Sequence, residues 1–123
     1  MIAYTTLGTN DFPRATAFYD RLLGALGAKR VMEMDRLILW GSAPGTPMVS
    51  VCKPFDGKAA SAGNGTMVSL AAPSRAEVDR EHALALELGA KDEGAPGQRG
   101  PGFYMGYFRD LDGNKLNVFA GGE

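Results

Sequence analysis

The chain is poor in the residues that most often carry catalysis or cross-linking. Of its 123 residues one is cysteine, Cys52, and one is histidine, His82. A lone cysteine excludes an intrachain disulfide and fits a reducing compartment. A lone histidine excludes any site built from two or more imidazoles of one chain. There is no surplus of charge. Thirteen basic residues face fourteen acidic ones, for a formal net charge of −1. Nothing is left over to neutralise a run of phosphates, so nucleic acid is not an expected partner. No apolar run approaches the ~20 residues of a membrane span, and no charged-then-apolar leader opens the sequence. The expectation is a cytoplasmic protein that is not embedded in a membrane.

What is present is an ordinary globular composition. The apolar share of 45% can fill a core, and 22% charged residues can cover it. Glycine is plentiful, 17 residues, with much of it between positions 94 and 122. That clustering predicts tight turns and a mobile rim.

Along the chain, residues 2–8 read as a strand. Asp11 is placed to cap a helix whose first turn accommodates Pro13. Ala15, Phe18, Leu22 and Leu26 recur at helical spacing, and Gly27 is positioned as a C-cap. Three short strands follow at 29–34, 36–42 and 47–53, then a small, polar stretch at 54–64 that reads as a linker. The order then repeats. Residues 65–72 form a strand. Ser74 and Glu77 match a capping box, and Val78, His82, Ala85 and Leu88 mark a helix closed by Gly89. A short strand runs near 90–93, a glycine- and proline-rich loop covers 94–102, and strands at 103–110 and 115–120 are joined through Asp112-Gly113. Leu26-Gly27-Ala28-Lys29 recurs as Leu88-Gly89-Ala90-Lys91 after the two helices. The chain reads as strand-helix-three-strands, twice.

Single residues carry little chemistry of their own. His82 shares the apolar stripe of its helix, where a hydrogen-bonded core histidine is expected rather than a catalytic base. Asp110, Asp112 and Asn114 fit a turn better than a calcium loop, because Gly113 precedes Asn114 and no bidentate glutamate follows. Cys52 has no adjacent histidine or basic cluster to activate it and reads as a core residue. The loop of Gly97, Gly100 and Gly102 lacks the Gly-Lys-Ser/Thr of a phosphate cradle.

Several segments together resemble a known family. Asn10-Asp11, Ala17-Phe18-Tyr19 and Leu22-Leu23-Gly24 stand in the first half. Gly97-Gln98-Arg99, Phe103-Tyr104 and Arg109-Asp110-Leu111-Asp112-Gly113-Asn114-Lys115 stand in the second. The pattern resembles the glyoxalase/bleomycin resistance protein/extradiol dioxygenase (vicinal oxygen chelate) superfamily, whose closing signature is similar to D-P-D-G-N-x-x-E. The resemblance covers nearly the whole chain. It implies an α+β fold in which two βαβββ modules of one chain form a U-shaped mixed-sheet cup with helices packed outside. On that pattern module one is 1–56, the linker 57–64 and module two 65–123, within a single glyoxalase-like domain.

In the family, metal ligands come from the first and last strands of each module. Carried over by position, they fall on Tyr4, Met67 and Asn117, and on Val49 give or take one residue. None is an imidazole, thiolate or carboxylate, the donors that Zn²⁺, Ni²⁺ or Fe²⁺ require. The expectation is therefore no metal and no cofactor. The ligand-binding residues expected in the cup are Tyr4, Trp40, Met67, Arg99, Phe103, Met105, Tyr107 and Asn117, with alternation setting Phe103, Met105 and Tyr107 on one strand face and Tyr104 on the other. Three readings remain open: a metal-free protein that binds a small planar or amphipathic molecule, a glyoxalase-type lyase/isomerase or dioxygenase-related enzyme with a non-standard site, and an interaction module with a vestigial cup. No catalytic residue is assigned. The resemblance implies a homodimer.

Overall fold

A computed structural model of the chain describes residues 1–121. The last two residues of the expected second module, 122 and 123, lie outside the described residues. Eight strands and two helices follow one another in the order β-α-β-β-β, twice. They divide into two compact units, one from Met1 to Ala62 and one from Gly63 onward. No helix among the described residues is long and apolar enough to cross a membrane.

The first unit contains β1 (Tyr4–Gly8), α1 (Phe12–Gly24), β2 (Lys29–Glu33), β3 (Leu37–Gly41) and β4 (Met48–Cys52). Its sheet runs β1-β4-β3-β2, with β1 parallel to β4 and the other pairs antiparallel. The helix starts where Asp11 accepts from the backbone N–H of Arg14, satisfying an otherwise orphan donor. Ala15, Phe18, Tyr19, Leu22 and Leu23 are its buried stripe. Each such large side chain contributes about 1.5–3 kcal/mol by leaving water. The helix ends at Gly24, earlier than the spacing of Leu26 implies. Leu26 and Gly27 form the exit turn, in which Gly27 takes φ +89 and the Ala28 N–H returns to the Leu23 carbonyl. The cause is backbone geometry, since a left-handed exit needs glycine and the first one able to close the turn sets the end.

The stretch expected as a free linker returns to this unit. Asn10 Nδ2 donates to the Ala60 carbonyl, and the Ala60 N–H donates back to Asn10 Oδ1 at 2.7 Å.

The second unit contains β5 (Val68–Ala71), α2 (Arg75–Glu87), β6 (Lys91–Gln98), β7 (Phe103–Arg109) and β8 (Lys115–Gly121), ordered β5-β8-β7-β6 in the sheet. Ser74 Oγ accepts from the Glu77 N–H, as its cap position predicts, while the Glu77 carboxylate pairs with Arg80. Val78, Glu81, His82 and Ala85 are the buried residues of α2. Leu116, Val118 and Phe108 are buried on the sheet. Gly106 lets the layers close. A Cβ there would lie 3.0 Å from the His82 ring and 3.1 Å from Pro96.

β6 corrects the sequence reading, which ended that strand at 93 and made 94–102 a loop. Pairing with β7 continues to Gln98 through two irregularities, at Asp92/Gly94 and Gly94/Gly97. Pro96 is tolerated because β6 is an edge strand, where a missing N–H breaks no ladder, and bulges absorb the register. Between β7 and β8 the Asp110 carboxylate accepts from the N–H groups of Asp112 and Asn114 and from Asn114 Nδ2. The Asp-x-Asp-Gly-Asn segment is thus a self-tied turn, with Gly113 at φ +87.

Candidate functional site

The register of the second sheet sorts its side chains into two faces. Gly106 and Phe108 meet His82 of α2, and Tyr104 donates its O–H to Asp79 of the same helix. The alternate residues of β7 therefore point away from the helix. Paired across β7 and β8 on this helix-free face are Phe103 with Gly121, Met105 with Phe119, Tyr107 with Asn117, and Arg109 with Lys115. Ser69 of β5 continues the row beside Asn117. The face is graded along the strands. The Phe103 and Phe119 rings, centroids 5.7 Å apart, form its apolar end, and Arg109 and Lys115 form its cationic end. Four residue steps separate the Phe119 and Lys115 levels, about 13 Å at strand rise.

The middle of the face is polar and unevenly satisfied. Tyr107 donates its O–H to Met105 Sδ at 2.9 Å, and Asn117 Nδ2 donates to the same sulfur at 3.3 Å. A thioether is a weak acceptor, so both donors are held loosely. Asn117 is only 2% exposed, yet its Oδ1 has no partner among the described residues. Leaving such an acceptor unsatisfied costs about 1–3 kcal/mol.

Two cations flank the Tyr107 ring, Arg99 at 5.1 Å and Lys115 at 5.4 Å from its centroid. Arg99 is fixed by the backbone, donating to the carbonyls of Ala95, Gly97 and Met105. These bonds tie Arg99, in the stretch expected as a mobile rim, to β6 and β7. Its anchor needs close approach, because a Cβ on Gly94 would come within 3.2 Å of the Arg99 guanidinium and 3.3 Å of the Tyr107 ring. Arg109 is neutralised by Glu93, with Nε to Oε1 at 2.9 Å. Neither Arg99 nor Lys115 forms an ion pair among the described residues.

Of the eight residues singled out from the sequence, the structure brings Arg99, Phe103, Met105, Tyr107 and Asn117 onto or beside this face. Met67 lies just before β5 and is 42% exposed. Tyr4 belongs to the first unit, half exposed at the start of β1. Trp40 departs from the expected group. It lies on the helix side of its own sheet, buried against Tyr19, and its Nε1 donates to Asp20 Oδ1 at 2.9 Å. Alternation along β3 decides this, because Ile38 and Trp40 share the face that α1 covers, and a buried indole needs an acceptor. Asp20 also receives a two-pronged pair from Arg30, which holds its carboxyl below the usual carboxylate range. Lys115 and Phe119 share this face but are not among the eight. Counting by two from Asn117 would have found both.

The family's metal positions can be fixed by register. Asn117 pairs with Ser69, five residues before the Ser74 cap, and the first-unit counterpart five before Asp11 is Thr6, which pairs with Ser50. On that register the fourth position falls on Ser50, within the one-residue range expected around Val49. Val49 pairs with Trp40 and turns to the helix side. A phenol, a thioether, an amide and a hydroxyl do not make a site for Zn²⁺, Ni²⁺ or Fe²⁺. Among the described residues no three His, Cys, Asp or Glu side chains gather as a metal site would require.

Other titratable groups lie elsewhere. His82 is 4% exposed, with Nε2 3.2 Å from Asp92 Oδ1 and 3.1 Å from the Tyr107 carbonyl. Glu81 is buried on α2, and burial, with Glu77 nearby, pushes its carboxyl up to about 8. Cys52 is half-buried at the end of β4 rather than in the core. A cavity of about 480 Å³ at the β3–β4 hairpin, bordered by Lys29, Val31, Thr46 and Met48, holds none of the eight residues.

Comparison with known proteins agrees with this architecture. The Glyoxalase/Bleomycin resistance protein/Dioxygenase superfamily matches residues 1–118. A glyoxalase/bleomycin resistance protein from Albidiferax ferrireducens T118 is 32% identical, with 97% of each chain covered and a TM-score of 0.87. Two further structures share the fold at lower identity. A family enzyme from Burkholderia phytofirmans PsJN is 15% identical over 95% of each chain, with a TM-score of 0.77. A lactoylglutathione lyase from Agrobacterium tumefaciens is 24% identical over 97% of this chain and 92% of its own, with a TM-score of 0.72. No curated protein matches. With its two βαβββ modules, the chain belongs to the glyoxalase/bleomycin resistance protein/dioxygenase superfamily.

Proposed function

We propose that the protein binds a small planar or amphipathic molecule on the helix-free face of its second module, without a catalytic metal. The observation that carries this reading is Asn117, a buried amide in the middle of the face whose Oδ1 has no partner among the described residues. Such an acceptor is costly when left alone and useful when a ligand's donor reaches it. Phe103 and Phe119 supply the surface for a planar body, and Arg99 stands fixed at the edge.

An enzyme of the lyase kind, as the Agrobacterium relative is named, is the competing reading. Two features weigh against it. The family's ligand positions carry no metal-binding donor, and the strongly raised carboxyl of Glu81 sits on α2 rather than on the candidate face. The reading extends to a cytoplasmic homodimer, on the family resemblance and the single free cysteine.

The test is elemental analysis of the purified protein for Zn, Ni, Fe, Mn and Co, combined with native mass spectrometry. The expected result is no stoichiometric metal and a dimer, with any retained ligand adding mass per subunit. One metal per chain would overturn the metal-free reading and put the lyase first.

A further inference from the structure

We infer that the ligand of this face is an anion, a carboxylate carried on an apolar planar body, and that its oxygen takes the place of Met105 Sδ. The inference rests on the binding reading above and deepens it.

The reasoning begins with two donors that converge on a poor acceptor. Tyr107 O–H and Asn117 Nδ2–H both point at one thioether sulfur. A carboxylate oxygen at that point would accept the same two bonds, and charge-assisted bonds are roughly twice as strong as neutral ones. The sulfur yields easily, because methionine is unbranched and adapts its rotamer at small cost. Met105 therefore covers the polar centre in the free protein and uncovers it when a better acceptor arrives.

Charge points the same way. Arg99 and Lys115 both stand over the Tyr107 ring, and neither meets a carboxylate among the described residues. Of the two carboxylates on the neighbouring edge strand, Glu93 is already taken by Arg109, and Asp92 accepts from the Gly94 N–H and lies beside His82. Two cations, neither in an ion pair among the described residues, thus flank the two neutral donors at the centre of the face. A cationic ligand would be repelled there, and a neutral one would leave the charges unused.

Shape completes the match. The aromatic end at Phe103 and Phe119 begins one residue pair from the Tyr107–Asn117 level, which is about 7 Å along the strands. A molecule with a flat apolar body and a terminal carboxylate spans that distance. Arg99 cannot swing away to meet a differently placed anion, since three backbone carbonyls hold it, so the anion's position is set in advance.

The experiment compares 2-naphthoate, 2-naphthamide and 2-naphthylmethylammonium as probes of matched shape and different charge. Binding to the full chain is measured by calorimetry, and location by the methyl resonance of ¹³C-labelled Met105. 2-Naphthoate is expected to bind about tenfold more tightly than the amide, with the ammonium weakest, and to shift the Met105 methyl. Lys115→Gln should reduce naphthoate affinity roughly fivefold and leave the amide unchanged, because Lys115 anchors no backbone group. Arg99→Gln is the less clean variant, since it also releases the β6 edge. Equal binding of naphthoate and amide at Met105 would overturn the anion assignment while leaving the binding reading intact. Failure of all three probes to shift Met105 would overturn both.

Discussion

Glu81 offers the sharpest quantitative test of the second module. It is 2% exposed on α2, one of its carboxylate oxygens has no partner among the described residues, and burial raises its carboxyl from 4.5 to about 8. A carboxyl raised by folding holds its proton in the native state at pH values where the unfolded chain has released it. The native state then binds more protons, so stability must fall as pH rises between the two values. At ~1.4 kcal/mol per unit, the full rise from 4.5 to about 8 would weaken the fold by up to about 5 kcal/mol above pH 8. Local relaxation and water entry bring the expected loss to roughly 2–4 kcal/mol. Below pH 4.5 both states are protonated and the cost vanishes.

Glu81→Gln keeps the shape and removes the titration. Urea unfolding at half-unit steps from pH 4 to 9 should give wild-type and variant curves that coincide near pH 4 and separate steadily above pH 5. At pH 8.5 the variant should be more stable by roughly 2–4 kcal/mol. The reasoning fails if the two curves run parallel across the range, or if the wild type gains stability between pH 5 and 8.

Two further substitutions test how each module is closed. Trp40→Phe removes the indole donor to Asp20 and part of the volume packed on Tyr19. Denaturant titration at pH 7 should show a loss of about 1–3 kcal/mol, and a change below about 0.5 kcal/mol would place Trp40 outside the core. Gly106→Ala sets a methyl 3.0 Å from the His82 ring and 3.1 Å from Pro96, both stiff groups. It should cost about 1–3 kcal/mol and shift the His82 ring resonances, whereas an unchanged melting temperature would mean that α2 and the sheet are less closely packed than the structure has them.

Much of the architecture was written in local patterns. The Asp11 and Ser74 caps, the apolar stripes of Phe18-Leu22 and Val78-Ala85, and Gly89 after α2 each depend on a few neighbouring residues, so the periodicity and turn chemistry exposed them. The order of elements followed, and with it the family. Boundaries held less well. The end of α1 depended on which glycine closed the exit turn, and β6 ran through Gly94 and Pro96 because an edge strand and two bulges tolerated them. Neither condition is local.

The candidate site divides in the same way. Alternation alone put Phe103, Met105 and Tyr107 on one face of a strand, because side-chain direction in an extended chain has a period of two. It could not say which face α1 or α2 would cover, so Trp40 was grouped with ligand-facing residues until the register and the bond to Asp20 turned it to the core. The choice of Ser50, within the one-residue range around Val49, as the counterpart of Asn117 is likewise a matter of register between strands far apart in sequence. The sequence by itself determined the repeated strand-helix-strand order, since that is a property of residue type and spacing. The convergence of Tyr107 and Asn117 on Met105, the two cations that flank Tyr107 and the burial of Glu81 were decided only in the tertiary structure. Each depends on strand pairing or helix packing that brings distant residues within a few ångströms, where directional bonds and desolvation act.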